Sequence, residues 1–291
     1  MTGDSLARLL ELRVRAPERI AAAAAARTRP SDLVGQTGRL LLVAADHPAR
    51  GAMRAGDRPM AMADRLDMLR RIVAALERPG VDGVLGTADV LEDLLLLGAL
   101  DGKVVIGSMN RGGLAGTSFE IDDRFTGYRA EAVARMGWQG GKMLARIDPD
   151  DPATASTLEA CAHAVDELAG HRLMAMVEPF IAHRVDGRVR NVLTPEAVIR
   201  SSAVAAGLGS TSAYTWLKLP VVDDMESVLA ATTLPVLLLG GEVDADQGQQ
   251  LAQWRKALAS PSVRGMVAGR TLLYPPDDDV AAAVDATVGL M

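Results

Sequence analysis

The sequence predicts a single α/β domain, a (β/α)8 TIM barrel with an extra N-terminal helix. Three observations point there. Short β-branched or leucine-rich runs alternate with longer amphipathic runs, and eight such pairs follow residue 39. The strand-like runs are apolar almost throughout, as strands of a parallel sheet covered by helices are. No linker or shift in composition divides the chain, so residues 1–38 read as a helical extension and 39–291 as one barrel domain. A doubly wound open sheet is the rival, but it requires a Gly-x-Gly-x-x-Gly turn after the first strand. Ala-Asp-His-Pro-Ala-Arg-Gly stands there instead.

In chain order, the alanine- and arginine-rich run from Asp4 to about Ala26 predicts one helix, closed by the break ending at Pro30. The first strand spans Leu40 to Ala45, before a polar loop and a helix from about Met62 to Leu76. Gly83 to Leu85 and Val104 to Ser108 are the next strands, with a helix over Val90 to Leu100 between them and one ending near Met136 after them. Gly141 to Ile147 precedes the helix Ala155 to Leu168, and Leu173 to Glu178 precedes a loop and the helix Pro195 to Ala206. The last strands are Tyr214 to Leu219, Val236 to Leu239 and Gly265 to Ala268. Helices start near Asp223, Asp244 and Asp277, where an acidic residue suits the positive end of the helix dipole. The long stretch from Asn110 to Thr126 reads as an active-site loop.

Composition limits the function classes. The hydrophobic fraction of 49% suffices for a full core, and the net charge of −6 without a basic, aromatic-interleaved run argues against nucleic acid as a partner. No apolar stretch reaches the roughly 18 residues of a membrane span, so a soluble, cytoplasmic protein is expected. Cys161 is the only cysteine, which excludes an intrachain disulfide and a cysteine-cluster metal site. Only four of the 31 basic residues are lysine, at positions 103, 142, 218 and 256. Where arginine is the default cation, a lysine invites attention, because its amine can become neutral and nucleophilic.

In such barrels the chemistry lies at the C-terminal ends of the strands. Asp46 closes the first strand, Lys142 lies early in the fourth, Glu178 closes the fifth, and Lys218 is near the end of the sixth. Alternation along Tyr-Thr-Trp-Leu-Lys-Leu places Tyr214, Trp216 and Lys218 on one face. Roughly one lysine in a thousand or fewer is neutral at pH 7. A catalytic Lys218 therefore needs burial or a neighbouring cation, for which Lys142 is the candidate. The alternative is that Lys218 only pairs with a carboxylate such as Glu178. Asp46-His47 resembles a metal pair, but His163 and His171 fall on or just after a helix, His183 falls in a loop, and no metal-binding spacing occurs. No metal or cofactor is expected, and His47 is placed to orient Asp46 or touch substrate.

The loops after the last two strands carry Gly240-Gly241 and Gly269-Arg270, where such barrels usually cradle phosphate. Glycine lets backbone N–H groups approach an anion, and arginine supplies a fork of donors. A phosphorylated small molecule is the expected partner. Arg50, Arg111 and Trp216 complete the candidate substrate contacts.

These residues carry a family likeness: Asp-His-Pro-Ala-Arg-Gly, Gly-Lys-Met-Leu, Val-Glu-Pro-Phe, Trp-Leu-Lys-Leu-Pro and Gly-Met-Val-Ala-Gly-Arg, in that order between about residues 40 and 276. The chain resembles the class I aldolase superfamily of tagatose-bisphosphate, sulfofructose-phosphate, archaeal-type fructose-bisphosphate and deoxyribose-phosphate aldolases. The resemblance implies that Lys218 forms a Schiff base, that Asp46 and Glu178 are acid/base residues, that Lys142 assists, and that Gly241 and Arg270 bind phosphate. The turn after the first strand and the Leu239-Gly240 pair depart from the tagatose-type pattern. A further likeness is to an actinobacterial branch of barrel aldolases linked to inositol catabolism. It implies cleavage of 5-dehydro-2-deoxygluconate 6-phosphate to dihydroxyacetone phosphate and malonate semialdehyde. Two other classes remain open: a metal-dependent or purely acid/base barrel, and a non-catalytic phosphosugar-binding barrel. The N-terminal helix could cover the barrel bottom or mediate homo-oligomer formation.

Overall fold

The computed structural model describes residues 3–35, 37–243 and 247–291. Its elements are α1 (Gly3–Arg15), α2 (Arg19–Ala26), β1 (Leu40–Ala44), α3 (Arg65–Leu76), β2 (Gly83–Gly86), α4 (Ala88–Leu96), β3 (Val104–Ser108), α5 (Ala130–Met136), β4 (Gly140–Ile147) and α6 (Ala153–Gly170). They continue with β5 (Met174–Val185), β6 (Arg188–Asn191), α7 (Pro195–Ala206), β7 (Thr215–Leu219), α8 (Met225–Ala230), β8 (Val236–Leu239), α9 (Gln247–Leu258), β9 (Val263–Ala268), α10 (Arg270–Leu273) and α11 (Val280–Val288). The sheet runs β4-β3-β2-β1-β9-β8-β7-β5, and a further β4–β5 pairing closes it into a ring of parallel strands. That closure is in continuous register from Gly140↔Met174 to Ile147↔Ile181.

The period-2 alternation of the strands builds two apolar layers. Leu40, Leu42, Leu85, Val104, Ile106, Met174, Met176, Leu237 and Val267 fill the barrel interior, with Leu33, Val34 and Trp216 packed against them. Leu41, Val43, Val84, Val105, Met143, Val177, Leu217 and Leu238 face outward onto Leu69, Ile72, Leu91, Leu94 and Leu168 of the helices. Leu33 and Val34 thus plug the N-terminal end of the barrel. The segment leading to them is tied down by Arg27, whose guanidinium donates to the carbonyls of Leu100, Lys103 and Gly137 and lies over the Trp138 ring.

Four differences from the sequence expectations have local causes. The N-terminal helix is two, α1 and α2, because Pro17 lacks an N–H and its ring clashes with a continuing helix. β5 runs past Glu178 to Val185 and turns back through Asp186 (φ 51°) and Gly187 (φ 74°) into β6, a hairpin on the rim. The helices expected near Asp223 and Asp277 begin one and two residues further on, capped by Asp224 and Asp279, whose carboxylates accept from the backbone N–H groups of Ser227 and Ala282. Asp244, the third expected helix start, lies outside the described residues. A short helix, α10, also opens directly after β9.

Gly265 shows how tightly the ring closes. It pairs with Leu40, has φ +129°, and a Cβ there would lie 1.9 Å from the Leu40 carbonyl oxygen. Gly265→Ala should therefore lower stability by about 3 kcal/mol or more, through a strained backbone and a clash that β1 must absorb. Urea unfolding monitored by circular dichroism checks this; a loss under about 1 kcal/mol would show that the β1–β9 seam yields freely.

Candidate active site

The strand ends bring five charged side chains into one buried cluster at the C-terminal end of the barrel interior. Lys218 on β7 donates to Oε1 of Glu178 on β5 at 2.6 Å, and Lys142 on β4 forms an ion pair with Oε2 of the same carboxylate. Lys142 also lies 3.5 Å from Oδ2 of Asp46, which follows β1. That oxygen accepts from Ser108 Oγ at 3.0 Å and pairs with Arg111, while Arg111 Nε donates to Ser108 Oγ at 3.2 Å. Asp46, Ser108, Arg111, Lys142, Glu178 and Lys218 are all buried. Both readings of Lys218 thus meet in one place: it pairs with Glu178, and a second lysine holds the other oxygen.

Burial in this low-dielectric interior is the largest single influence on each titration and sets its direction for every group but Glu178. It pushes the Lys218 ammonium down, and the charges of Arg111 and Arg270 add to that against the opposing pull of Glu178. Lys142 is pushed further, well below the ordinary lysine value, by burial and by Arg111 beside it. The cations that help lower Lys218 are therefore the two arginines more than Lys142. Burial alone would raise Glu178, but Lys142, Lys218 and Arg111 together hold it well below the usual carboxylate range. Arg111 itself is pushed down to about 10 by burial. Burial, with Arg270 and Lys218 nearby, keeps His47 neutral, and its Nδ1 is buried without a hydrogen-bond partner.

The remaining expected contacts divide. Trp216 packs against the interior apolar layer one step below Lys218, so it forms floor and not mouth. Gly240, Gly241, Gly269 and Arg270 do meet at the ends of β8 and β9. A Cβ on Gly240 would lie 2.8 Å from that of Ala268, and one on Gly269 would lie 2.5 Å from the Ala44 carbonyl oxygen. Glycine is thus required there by packing alone. The Gly240 N–H is already donated to the Val267 carbonyl, which leaves Gly241, at φ +74°, as the turn residue of the pair. Among the described residues Arg270 reaches only the exposed Glu242 at 3.7 Å and the Arg54 carbonyl at 3.4 Å, and its Nε is buried with no partner there.

Several residues of the site carry no motif. Ser108 is the last residue of β3 and shares the inward parity of Val104 and Ile106. Asn110 clamps the rim loop to β4 by exchanging hydrogen bonds with both backbone groups of Leu144, at 2.7 Å each. Arg146, in phase with Lys142 on β4, forks onto Asp123 at 2.8 and 2.7 Å and reaches Glu120 at 3.2 Å, so a buried guanidinium organises the 110–126 loop. His183, expected in a loop, lies in the β5 extension. Its Nδ1 is 3.4 Å from Asp148 Oδ1, and with Asp150 these form the one group among the described residues whose ligand atoms lie close enough to hold a metal ion. His47 is not part of it.

A closed parallel barrel with paired interior lysines defines a class of (β/α)8 protein with a buried amine site. An archaeal fructose 1,6-bisphosphate aldolase shares this fold at a TM-score of 0.64 and 19% identity, over 93% of this chain and 98% of that one. A fructose-bisphosphate aldolase from Slackia heliotrinireducens does so at 0.61 and 17%, over 87% and 86%. The chain belongs to the Cgl0159-like family, whose profile matches residues 38–288. The crystal structure of Cgl0159 from Corynebacterium glutamicum is 52% identical and superposes at a TM-score of 0.97, covering 100% of this chain and 97% of that one. No curated protein matches the sequence. No helix among the described residues is long and apolar enough to cross a membrane.

Proposed function

We propose that the protein is a class I aldolase that cleaves a phosphorylated keto sugar through a Schiff base on Lys218. The observation that carries this reading is a buried lysine amine, its pKa lowered, 2.6 Å from a carboxylate whose other oxygen is held by a second lysine. An amine so placed sheds its proton more readily than a free lysine and has a proton acceptor in contact. The neutral Lys218 amine attacks the substrate ketone. Glu178 takes a proton from the nitrogen as it bonds to carbon and passes it to the former carbonyl oxygen, and a second proton, from solvent, lets that oxygen leave as water and gives an iminium. The iminium draws the electron pair of the adjacent carbon–carbon bond as the substrate hydroxyl loses its proton, releasing an aldehyde and leaving an enamine. Protonation and hydrolysis of the enamine free the ketone phosphate and Lys218.

Ser108, Arg111 and Lys142 all approach the same oxygen of Asp46, Oδ2. Oδ1 is then the oxygen to accept the hydroxyl proton, and Asp46 is the base of cleavage. Lys142 holds Glu178 and Asp46 apart in charge and position. Gly241 and Arg270 bind the phosphate, at the end of the barrel where such sites usually lie.

The sequence resemblance supports 5-dehydro-2-deoxygluconate 6-phosphate as the substrate, cleaved to dihydroxyacetone phosphate and malonate semialdehyde. A panel of phosphorylated keto sugars that includes it, assayed for triose phosphate release, tests the reading. Release from none of them would overturn it; release from a bisphosphate but not from this acid would overturn the substrate alone.

The titrations predict the pH profile. A lysine with a lowered pKa sheds its proton earlier as pH rises, so kcat/KM should climb with pH and level off below about 10.4, the ordinary lysine value. Glu178, held low, stays ionised through neutrality and adds no limb there. A profile still climbing at that ordinary value would show that Lys218 is not the titrating nucleophile.

A further inference from the structure

Arg50 is an under-paired guanidinium on the side of the barrel mouth away from the phosphate end. In the ring β1-β2-β3-β4-β5-β7-β8-β9, the pair β3–β4 lies across the axis from β8–β9. Gly241 and Arg270 follow β8 and β9. Arg50 follows β1 but leans toward β3–β4: its carbonyl accepts from Ala115 N–H at 2.8 Å, and its Nη2 lies 3.6 Å from Glu120 Oε1.

That is a poor share of one oxygen. Glu120 Oε1 is already 3.2 Å from Arg146, and Oε2 accepts from the Gly116 N–H at 2.8 Å. Asp123 is fully engaged by the Arg146 fork, and Asp46 by Arg111, Ser108 and Lys142. Arg50 Nε is buried and has no hydrogen-bond acceptor among the described residues, while the side chain as a whole stays 20% exposed. A mostly buried guanidinium in this state is costly unless an acceptor reaches it from solution, and its planar fork fits a carboxylate or a phosphate group. The phosphate handle is accounted for across the barrel.

We propose that Arg50 determines specificity by binding an anionic group on the aldehyde half of the substrate, so that the substrate carries negative charge on both sides of the bond cleaved. This rests on the Schiff-base reading of Lys218. Nothing in it requires Arg50 to touch the reacting atoms; Arg50 selects which aldehyde fragment is held beside them.

The test runs the reaction toward condensation, with dihydroxyacetone phosphate and one of three aldehydes: malonate semialdehyde, glyceraldehyde 3-phosphate or neutral propionaldehyde. The wild type should favour one acidic aldehyde over propionaldehyde by about 100-fold or more in kcat/KM, and which of the two it favours identifies carboxylate or phosphate as the anion. Arg50→Gln should bring that ratio within about tenfold. Arg50→Lys, which keeps the charge and loses the fork, should give an intermediate ratio that falls with added salt, and it carries the test if the glutamine variant does not fold. A wild-type ratio near one, or variants that lower all three aldehydes in parallel, would overturn the proposal. Borohydride trapping of dihydroxyacetone phosphate alone on the wild-type enzyme separates the two readings, because this probe lacks the aldehyde half. Trapping without aldehyde discrimination removes only the role of Arg50; absence of trapping removes both.

Discussion

Lys218→Met should lower kcat/KM for ketose phosphate cleavage by about 10⁴-fold or more, because it deletes the nucleophile and with it the covalent route. Methionine is close to lysine in length and can occupy the same buried position on the inward face of β7, above Trp216. The substitution does not leave Glu178 as an unpaired buried charge, so the fold should survive and the loss should fall on kcat. Glu178 would keep Lys142 as its partner. Activity within tenfold of wild type in a steady-state triose phosphate assay would mean that Lys218 is only the ion-pair partner of Glu178.

Glu178→Gln is the second large effect, and it acts on both chemistry and stability. The carboxylate is the contact shared by Lys218 at 2.6 Å and Lys142. Its loss leaves Lys142 with Asp46 at 3.5 Å and Lys218 with no anion at hydrogen-bond distance among the described residues. Breaking a buried ion pair from one side costs about 3–5 kcal/mol. Turnover should fall by about 10²–10⁴-fold, the range for a lost proton-transfer group. The pH dependence separates this from mere disorder. Glu178 raises the Lys218 pKa by its charge and its hydrogen bond, so without it the amine loses its proton at lower pH, and the rising limb of the residual activity should move to lower pH. A limb that stays in place would contradict the direct coupling of the two groups.

How much of this was legible in the sequence depended on whether a residue's surroundings are set by its own strand or by another. Lys218 could be read because alternation within β7 fixes its face, and a lone lysine there is costly unless something meets it. Asp46 and Glu178 could be placed because each closes its expected strand, and a barrel brings those ends together; Lys142, early in β4, joins them only through the stagger of the strands. The pairing itself, one carboxylate between two amines, is a property of strand order and stagger that no single strand encodes. Ser108 follows the inward parity of β3 but is chemically plain until Asp46 and Arg111 reach it. Arg146 has the same parity as Lys142, yet its partners Glu120 and Asp123 lie in a loop without periodicity.

Two of the differences between sequence and structure carry a signal in the sequence itself. Asp186-Gly187 between apolar and charged alternating residues is a strong two-residue hairpin signal, and it marks the β5–β6 turn that puts His183 on a strand. Pro17 marks the end of α1 as surely as the break at Pro30 marks the end of the alanine-rich run. Trp216 was placed on the correct face but at the wrong depth: the same alternation that points Lys218 inward points Trp216 inward too, and only the layering of the barrel shows that it lies nearer the plugged end. Gly240 has the opposite lesson. Its position after β8 suggested an anion donor, but its N–H is spent on Val267 and its missing Cβ makes room for Ala268.

The most direct measurement is borohydride reduction of the enzyme with dihydroxyacetone phosphate, followed by peptide mass spectrometry. A reduced secondary amine on Lys218 that is absent from Lys218→Met is the predicted result. An unmodified Lys218, or an adduct on Lys142 that persists in Lys218→Met, would contradict the assignment of Lys218 as the Schiff-base residue.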